Sequence, residues 1–255
     1  INYLQLANEL IREVKKNAIT IAEDMSAMPG MCLPIKDGGI GFDYRLSMGM
    51  PDFWEKALEK RDEDWDMGRM WYELSTYRPE EKRISYVESH DQAFVGSKTT
   101  IYRLADSSMY WDMEKKTHNI VIDRAIALHK MIRWITISMG SEGYLNFMGN
   151  EIATFDEWNE NASINWDILS YPKHDDFNRY LRDLNYLYRE NDAFFKYDYD
   201  QAGFRWIIVD DKNTSVFAFE RIADDKRFLI VLNMANLYHG GYEFPYDEDL
   251  IFIER

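Results

Sequence analysis

With 255 residues, 46% of them hydrophobic and 29% charged, the chain can bury a sizeable core and has room for one barrel or two ordinary domains. The formal net charge of −15 argues against a nucleic-acid partner, whose binding is driven by clustered Lys and Arg. No apolar run approaches the ~18 residues of a membrane span, so no membrane partner is expected. A lone cysteine, Cys32, excludes an intrachain disulfide and a cysteine-based zinc cluster, and points to the reducing cytoplasm. The chain starts at Ile1 inside a helical pattern and finishes on a strand-like stretch, 250–253, with no partner after it. Both ends read as cuts in a longer protein.

In chain order, Tyr3, Ala7, Leu10, Ile11 and Val14 recur at helical spacing and predict an amphipathic helix over 2–16. A short apolar strand over 18–22 follows, then a Met-, Pro- and Gly-rich loop over 25–39. Residues 40–46 predict a second strand and 47–60 a helix with Pro51 near its start. The stretch 60–79 reads as acidic and irregular, 84–87 as a third strand, and the residues from there to about 120 as a long loop of the kind that carries binding function. Ile126, Ala127, Met131, Ile132 and Ile135 predict a buried helix over 123–139. A fourth strand is expected over 144–148, a loop over 149–173, and a helix over 176–189 along the stripe Phe177, Tyr180, Leu181, Leu184, Leu187, Tyr188. Such alternation fits a βα barrel or a doubly wound sheet. After a boundary near 192–200, β-rich runs at 204–209, 215–220 and 227–232 predict a small antiparallel domain.

Two strand ends deliver carboxylates, Glu23-Asp24 and Glu88-Ser89-His90-Asp91, and no third acidic strand end precedes Glu23. Glu23 leaves an apolar strand, where partial desolvation would raise its pKa toward that of a general acid; the bland alternative is an acidic cap or loop residue. Alternation along a strand sends Asp24 to the opposite face. His90 and Asp91 could hydrogen-bond vicinal sugar hydroxyls and stabilise positive charge at an anomeric carbon, or be a satisfied histidine and a loop cap. A metal site from Glu88, His90 and Asp91 is disfavoured, because strand alternation does not aim all three together.

The remaining candidates are weaker. His118, His129, His174 and His239 are isolated, and Gly38-Gly39-Ile40-Gly41 precedes a strand, which fits a turn and not a phosphate cradle. Ser26 and Cys32 lack a histidine at any recognisable spacing. Trp158 and Trp166 could stack on a glucan or pin their loop, and the aromatic content of 15% fits either sugar-stacking platforms or a large core.

The segments Ile21-Ala22-Glu23-Asp24-Met25-Ser26-Ala27-Met28-Pro29, Gly39-Ile40-Gly41-Phe42-Asp43-Tyr44-Arg45-Leu46, Tyr86-Val87-Glu88-Ser89-His90-Asp91-Gln92-Ala93 and Tyr144-Leu145-Asn146-Phe147-Met148-Gly149-Asn150-Glu151 resemble, in order, the 1,4-α-glucan branching enzymes of the α-amylase superfamily. The resemblance covers nearly the whole chain. It implies an α/β fold: the second half of a (β/α)₈ TIM-type barrel over 1–195, then the start of an all-β C-terminal β-sandwich domain over 196–255. It also implies that Glu23 is the general acid/base, that Asp91 stabilises the transition state, that His90 holds the sugar ring, and that Asn150 and Glu151 follow the eighth strand. The family's nucleophilic aspartate belongs to a fourth strand, which would stand before the first helix and outside this sequence.

Implied too are an α-glucan substrate (amylose, glycogen or amylopectin), no cofactor, a monomeric parent enzyme and a cytoplasmic setting. An amylase-type hydrolase, or a glucan-binding protein without activity, are the rival readings. Ile152-Ala153-Thr154 departs from the usual Phe-Gly or Phe-Ala. The wording up to Asn150 resembles the eukaryotic type of the family, whereas 156–166 and 203–220 resemble the bacterial type.

Overall fold

A computed structural model describes the chain except residues 77, 79, 95–97, 115, 140–142, 157, 244, 247–251 and 254–255. The first predicted helix forms as α1 (Asn2–Val14), but it docks through its polar seam. Gln5 Nε2 and Asn8 Nδ2 donate to the carbonyls of Gly39 and Ile40 at 2.8 and 3.1 Å, and Arg12 pairs with Asp43 at 3.1 Å. Its apolar stripe faces outward, with Tyr3, Leu6, Leu10 and Val14 all 60% or more exposed. The loop that receives the helix needs glycine at 39, since a Cβ there would stand 2.0 Å from the Leu33 carbonyl oxygen.

Three short strands, β1 (Ile21–Ala22), β2 (Tyr44–Leu46) and β3 (Arg83–Ile84), form a parallel sheet in the order β1-β2-β3. Ser85 continues the ladder in a parallel bridge to Tyr144, with Leu145 N donating to Ser85 O at 2.9 Å. The fourth strand expected over 144–148 is reduced to that bridge, because Ser85 is its one ladder partner among the described residues. On the outer side of β1 no strand pairs among the described residues, and Ile19 and Ile21 are exposed there.

Helix α2 (Gly49–Ala57) follows β2 as expected. The stretch read as irregular contains α3 (Met67–Ser75) instead. Its signals lay under the acidic composition: Asp66 caps Arg69 N at 3.0 Å, and Met67, Met70 and Leu74 form a buried stripe. The long loop after β3 is likewise interrupted by α4 (His90–Phe94), α5 (Thr100–Ala105) and α6 (Met109–Asp112). Helix α7 (Ile120–Ser138) begins where Asn119 Oδ1 accepts from Val121 N at 2.9 Å, and it is apolar on most faces because it is enclosed. Helix α8 (Pro172–Glu190) packs on it with Pro172 in the first turn.

The β-rich tail forms the antiparallel meander β4 (Phe204–Asp211), β5 (Val216–Ala223) and β6 (Lys226–Asn233). Phe217, Phe219, Ile230 and Leu232 share one core with Met70 and Leu74 of α3 and with Ile132 and Ile135 of α7. Of the C-terminal strand expected over 250–253, residues 250 and 251 lie outside the described residues. No described helix is long and apolar enough to cross a membrane.

Two buried histidines make this core sensitive to acid. Burial, reinforced by the Arg133 charge, holds His129 well below the ordinary histidine value, and burial also lowers His174. Below about pH 6.5 the unfolded chain binds protons that the folded chain refuses, so stability falls as pH drops through that value and is intact above it. The urea midpoint is expected to fall between pH 7.5 and 5.5, and less steeply in His129→Gln. Parallel midpoint curves for the two proteins would exclude His129 as a source of the slope.

Candidate active site

Parallel strands point their carboxyl ends to one rim, and ligands of α/β sheets bind just outside it. Glu23 follows the last residue of β1 there. The chain beyond β3 returns to the same rim through Ser85, Tyr86, Val87 and Glu88 and turns into α4. That turn is a variant of the capping box: Gln92 Oε1 accepts from Ser89 N at 2.9 Å, while Ser89 Oγ accepts from Asp91 N at 3.4 Å, one residue short of the usual donor. The Ser-x-x-Gln spacing was the sequence signal for α4, and it sets His90 and Asp91 on the first turn of that helix.

The two strand ends meet in space. His90 Nε2 lies 3.4 Å from Glu23 Oε1 and 3.4 Å from Asp91 Oδ1. One ligand atom from each of the three residues falls within 4.8 Å of the others, the one such group among the described residues. A cation could be met by this set, although all three side chains open to water and the same spacing suits sugar hydroxyls. The metal set considered from sequence fails on geometry, because Glu88 is buried and its carboxylate is taken by Arg133 at 2.6 Å. The expected desolvation of Glu23 is also absent: its side chain is 46% exposed. The physical reason is that β1 is an edge strand, with no neighbour among the described residues to cover its outer side.

Asp24 does turn away from Glu23, toward Arg45 of β2. Arg45 Nη2 donates to Asp24 Oδ2 at 2.9 Å, and Nη1 donates to Met28 O at 3.0 Å and to Glu81 at 3.1 Å. This guanidinium therefore anchors the loop that begins at Glu23, a role that sequence reading missed. Tyr86, buried beneath the rim, was also missed. Burial pushes its hydroxyl up, and the charges of Asp91 and Glu23 push it further in the same direction, which places all three groups within one electrostatic neighbourhood.

A cleft of about 520 Å³ has Asp24, Met25, Arg45, Asp52, Tyr72 and Arg83 among its walls, and Glu23, His90 and Asp91 do not line it. A second cleft, about 330 Å³, lies between Ala93, Thr99 and the loop that carries Trp158. Trp158 Nε1 donates to Met148 Sδ at 3.0 Å and its ring meets Phe147, so this residue pins the loop, whereas Trp166 is half exposed. Asn150 is buried, and Glu151 accepts from Asn146 Nδ2 at 2.9 Å.

The weaker candidates stay apart from the cluster. Burial, helped by Glu81, raises the Cys32 thiol to about 11, and Ser26 Oγ donates to Asp24, a weakly basic carboxylate that Arg45 already holds, so neither is an activated nucleophile. His118 pairs with Asp123, His239 contacts the Thr214 carbonyl, and His129 and His174 are buried.

No protein-family model matches the chain. Among curated proteins it is similar to the 1,4-alpha-glucan-branching enzyme of Yarrowia lipolytica, with 43% identity over 252 residues that cover 92% of this chain and 35% of the relative. The Felis catus 1,4-alpha-glucan-branching enzyme is 55% identical over 158 residues, 61% of this chain and 22% of the relative. The Dictyostelium discoideum 1,4-alpha-glucan-branching enzyme is 40% identical over 234 residues, 87% of this chain and 34% of the relative. The chain thus spans about a third or less of the length of these relatives. Over most of its own length it is homologous to the 1,4-alpha-glucan-branching enzymes.

Proposed function

We propose that this chain is the carboxy-terminal part of the catalytic barrel, and the start of the following β domain, of an enzyme that cleaves an α-1,4 link in a glucan and transfers the freed chain to a 6-hydroxyl. The observation that carries this reading is the meeting of Glu23, His90 and Asp91 from two separate strand ends on one rim. The barrel is supported by strands that pair in sequence order, β1-β2-β3 and on to Tyr144, without the reversal that marks a doubly wound sheet. It is supported also by the open edge of β1 and the outward apolar stripe of α1, where further strands and helices would pack. Residues 1–195 are assigned to the barrel and 196–255 to the β domain.

In this mechanism Glu23 protonates the departing glycosidic oxygen as the anomeric carbon bonds to an aspartate supplied from outside this sequence. The Glu23 carboxylate then takes the proton of the acceptor 6-hydroxyl, which attacks the anomeric carbon and releases that aspartate. A retaining enzyme holds its two working carboxyls ~5–5.5 Å apart, so the aspartate must approach on the open side of β1. Asp91 faces the positive charge that develops at the anomeric carbon, and His90 hydrogen-bonds the ring hydroxyls. The substrate is an α-glucan, neutral and rich in hydroxyls, which an acidic chain does not repel.

The complete enzyme is expected to bleach iodine-stained amylose, whereas the isolated 255 residues leave its colour unchanged because they lack the nucleophile. Bleaching by the isolated chain would overturn the assignment of the nucleophile, and no bleaching by the complete enzyme would overturn the function.

A further inference from the structure

Glu88 stands two residues before His90, is buried, and has both carboxylate oxygens engaged. Oε1 accepts from Arg133 Nη2 at 2.6 Å, and Oε2 accepts from the backbone N–H of Thr100, the first residue of α5, at 2.6 Å. Arg133 is equally buried in the middle of α7, and its Nε donates to His129 Nε2 at 3.1 Å. That bond makes Nε2 the acceptor and leaves the ring hydrogen on Nδ1. The imidazole itself is wedged against Phe177 of α8, with ring centroids 4.7 Å apart. Burial keeps it neutral, which is what an acceptor beside a guanidinium must be.

A buried ion pair of this kind is a poor source of net stability, since apolar residues of similar volume often serve as well or better. What it supplies is geometry. One carboxylate ties α7, the start of α5 and the residue that enters the His90–Asp91 turn, and the Ser89–Gln92 capping box leaves that turn little freedom beyond the tie. We propose that Glu88 and Arg133, backed by His129, are positioning residues that set the His90–Asp91 turn at the height where His90 reaches Glu23. The proposal rests on the catalytic reading of that cluster, and its test separates the two.

Two variants loosen the tie in different ways. Glu88→Gln leaves one acceptor oxygen where two are needed. Thr100→Pro removes the N–H that meets Oε2 and spares the Arg133 bond; Thr99 already has φ −59° and ψ 156°, which a following proline requires, and the first helical position accepts proline. Contact between His90 and Glu23 is read in the 255-residue chain from the imidazole ¹³C shift produced by Glu23→Gln. That shift is expected in the otherwise native chain and lost when either tie variant is added. In the complete enzyme kcat is expected to fall about tenfold or more with KM changed less than about twofold.

An undiminished Glu23→Gln shift in the tie variants overturns the proposal, whatever kcat does. Loss of the shift with kcat unchanged supports the positioning role and overturns the catalytic reading instead. If Glu88→Gln does not fold, Thr100→Pro carries the same comparison.

Discussion

If the proposed function holds, Glu23→Gln in the complete enzyme is expected to lower the initial rate of α-glucan transfer by roughly 10²–10⁴-fold, the range that a positioned general acid/base contributes. Gln keeps the shape and the contact with His90 but has no proton to give the departing oxygen and no negative charge with which to accept one. Asp91→Asn is expected to lose about 10²–10³-fold by a different route, because an amide cannot balance positive charge at the anomeric carbon. KM should move little in either variant, since both lose an interaction that matters most in the transition state. Initial rates with amylose check both, and near-native activity in one of them would remove that residue from its role.

The largest stability effect is expected at Arg221. It is buried in β5 and ion-paired with the equally buried Asp198, and its Nε donates to the Ala193 carbonyl at 3.1 Å. Arg221→Met removes the cation that faces the buried Asp198 carboxylate, a loss of about 3–5 kcal/mol. The double variant Arg221→Met with Asp198→Leu should recover much of this, because the cost lies in burying the Asp198 charge without the Arg221 cation and not in the missing contact. Urea unfolding of the three proteins decides it. A double variant no better than the single one would mean that Arg221 acts through packing.

How much of this was legible in the sequence differs from element to element. Helices α1, α7 and α8 and the three strands of the meander were readable because an apolar period runs through each of them. The inverted face of α1 was not, since periodicity shows that a helix has an apolar side but not what covers it. Helix α3 was hidden by Asp62, Glu63, Asp64 and Asp66, acidic residues that only flank its start. Helix α4 is too short to show a period, and only its capping box could have announced it.

The site was legible as a pair of acidic strand ends, and the resemblance supplied the role of each residue. Its supports were not legible. Arg45 and Arg133 hold the neighbours of the cluster, Asp24 and Glu88, and Tyr86 lies in its electrostatic reach, from positions 22, 110 and 63 residues after Glu23; contacts of that range exist only once the chain has folded. The missing burial of Glu23 has the same origin, because exposure at a strand end depends on the neighbouring strand and not on the residues of the strand itself.

On the proposed function, the Glu23–His90–Asp91 cluster of the complete enzyme makes α-1,6 links. Proton NMR of amylose incubated with that enzyme, before and after Glu23→Gln, is the decisive measurement. The expected result is growth of α-1,6 anomeric signals without a matching rise in reducing ends, and loss of that growth in the variant. Reducing ends that accumulate while no α-1,6 signal appears, or undiminished α-1,6 formation by Glu23→Gln, would contradict it.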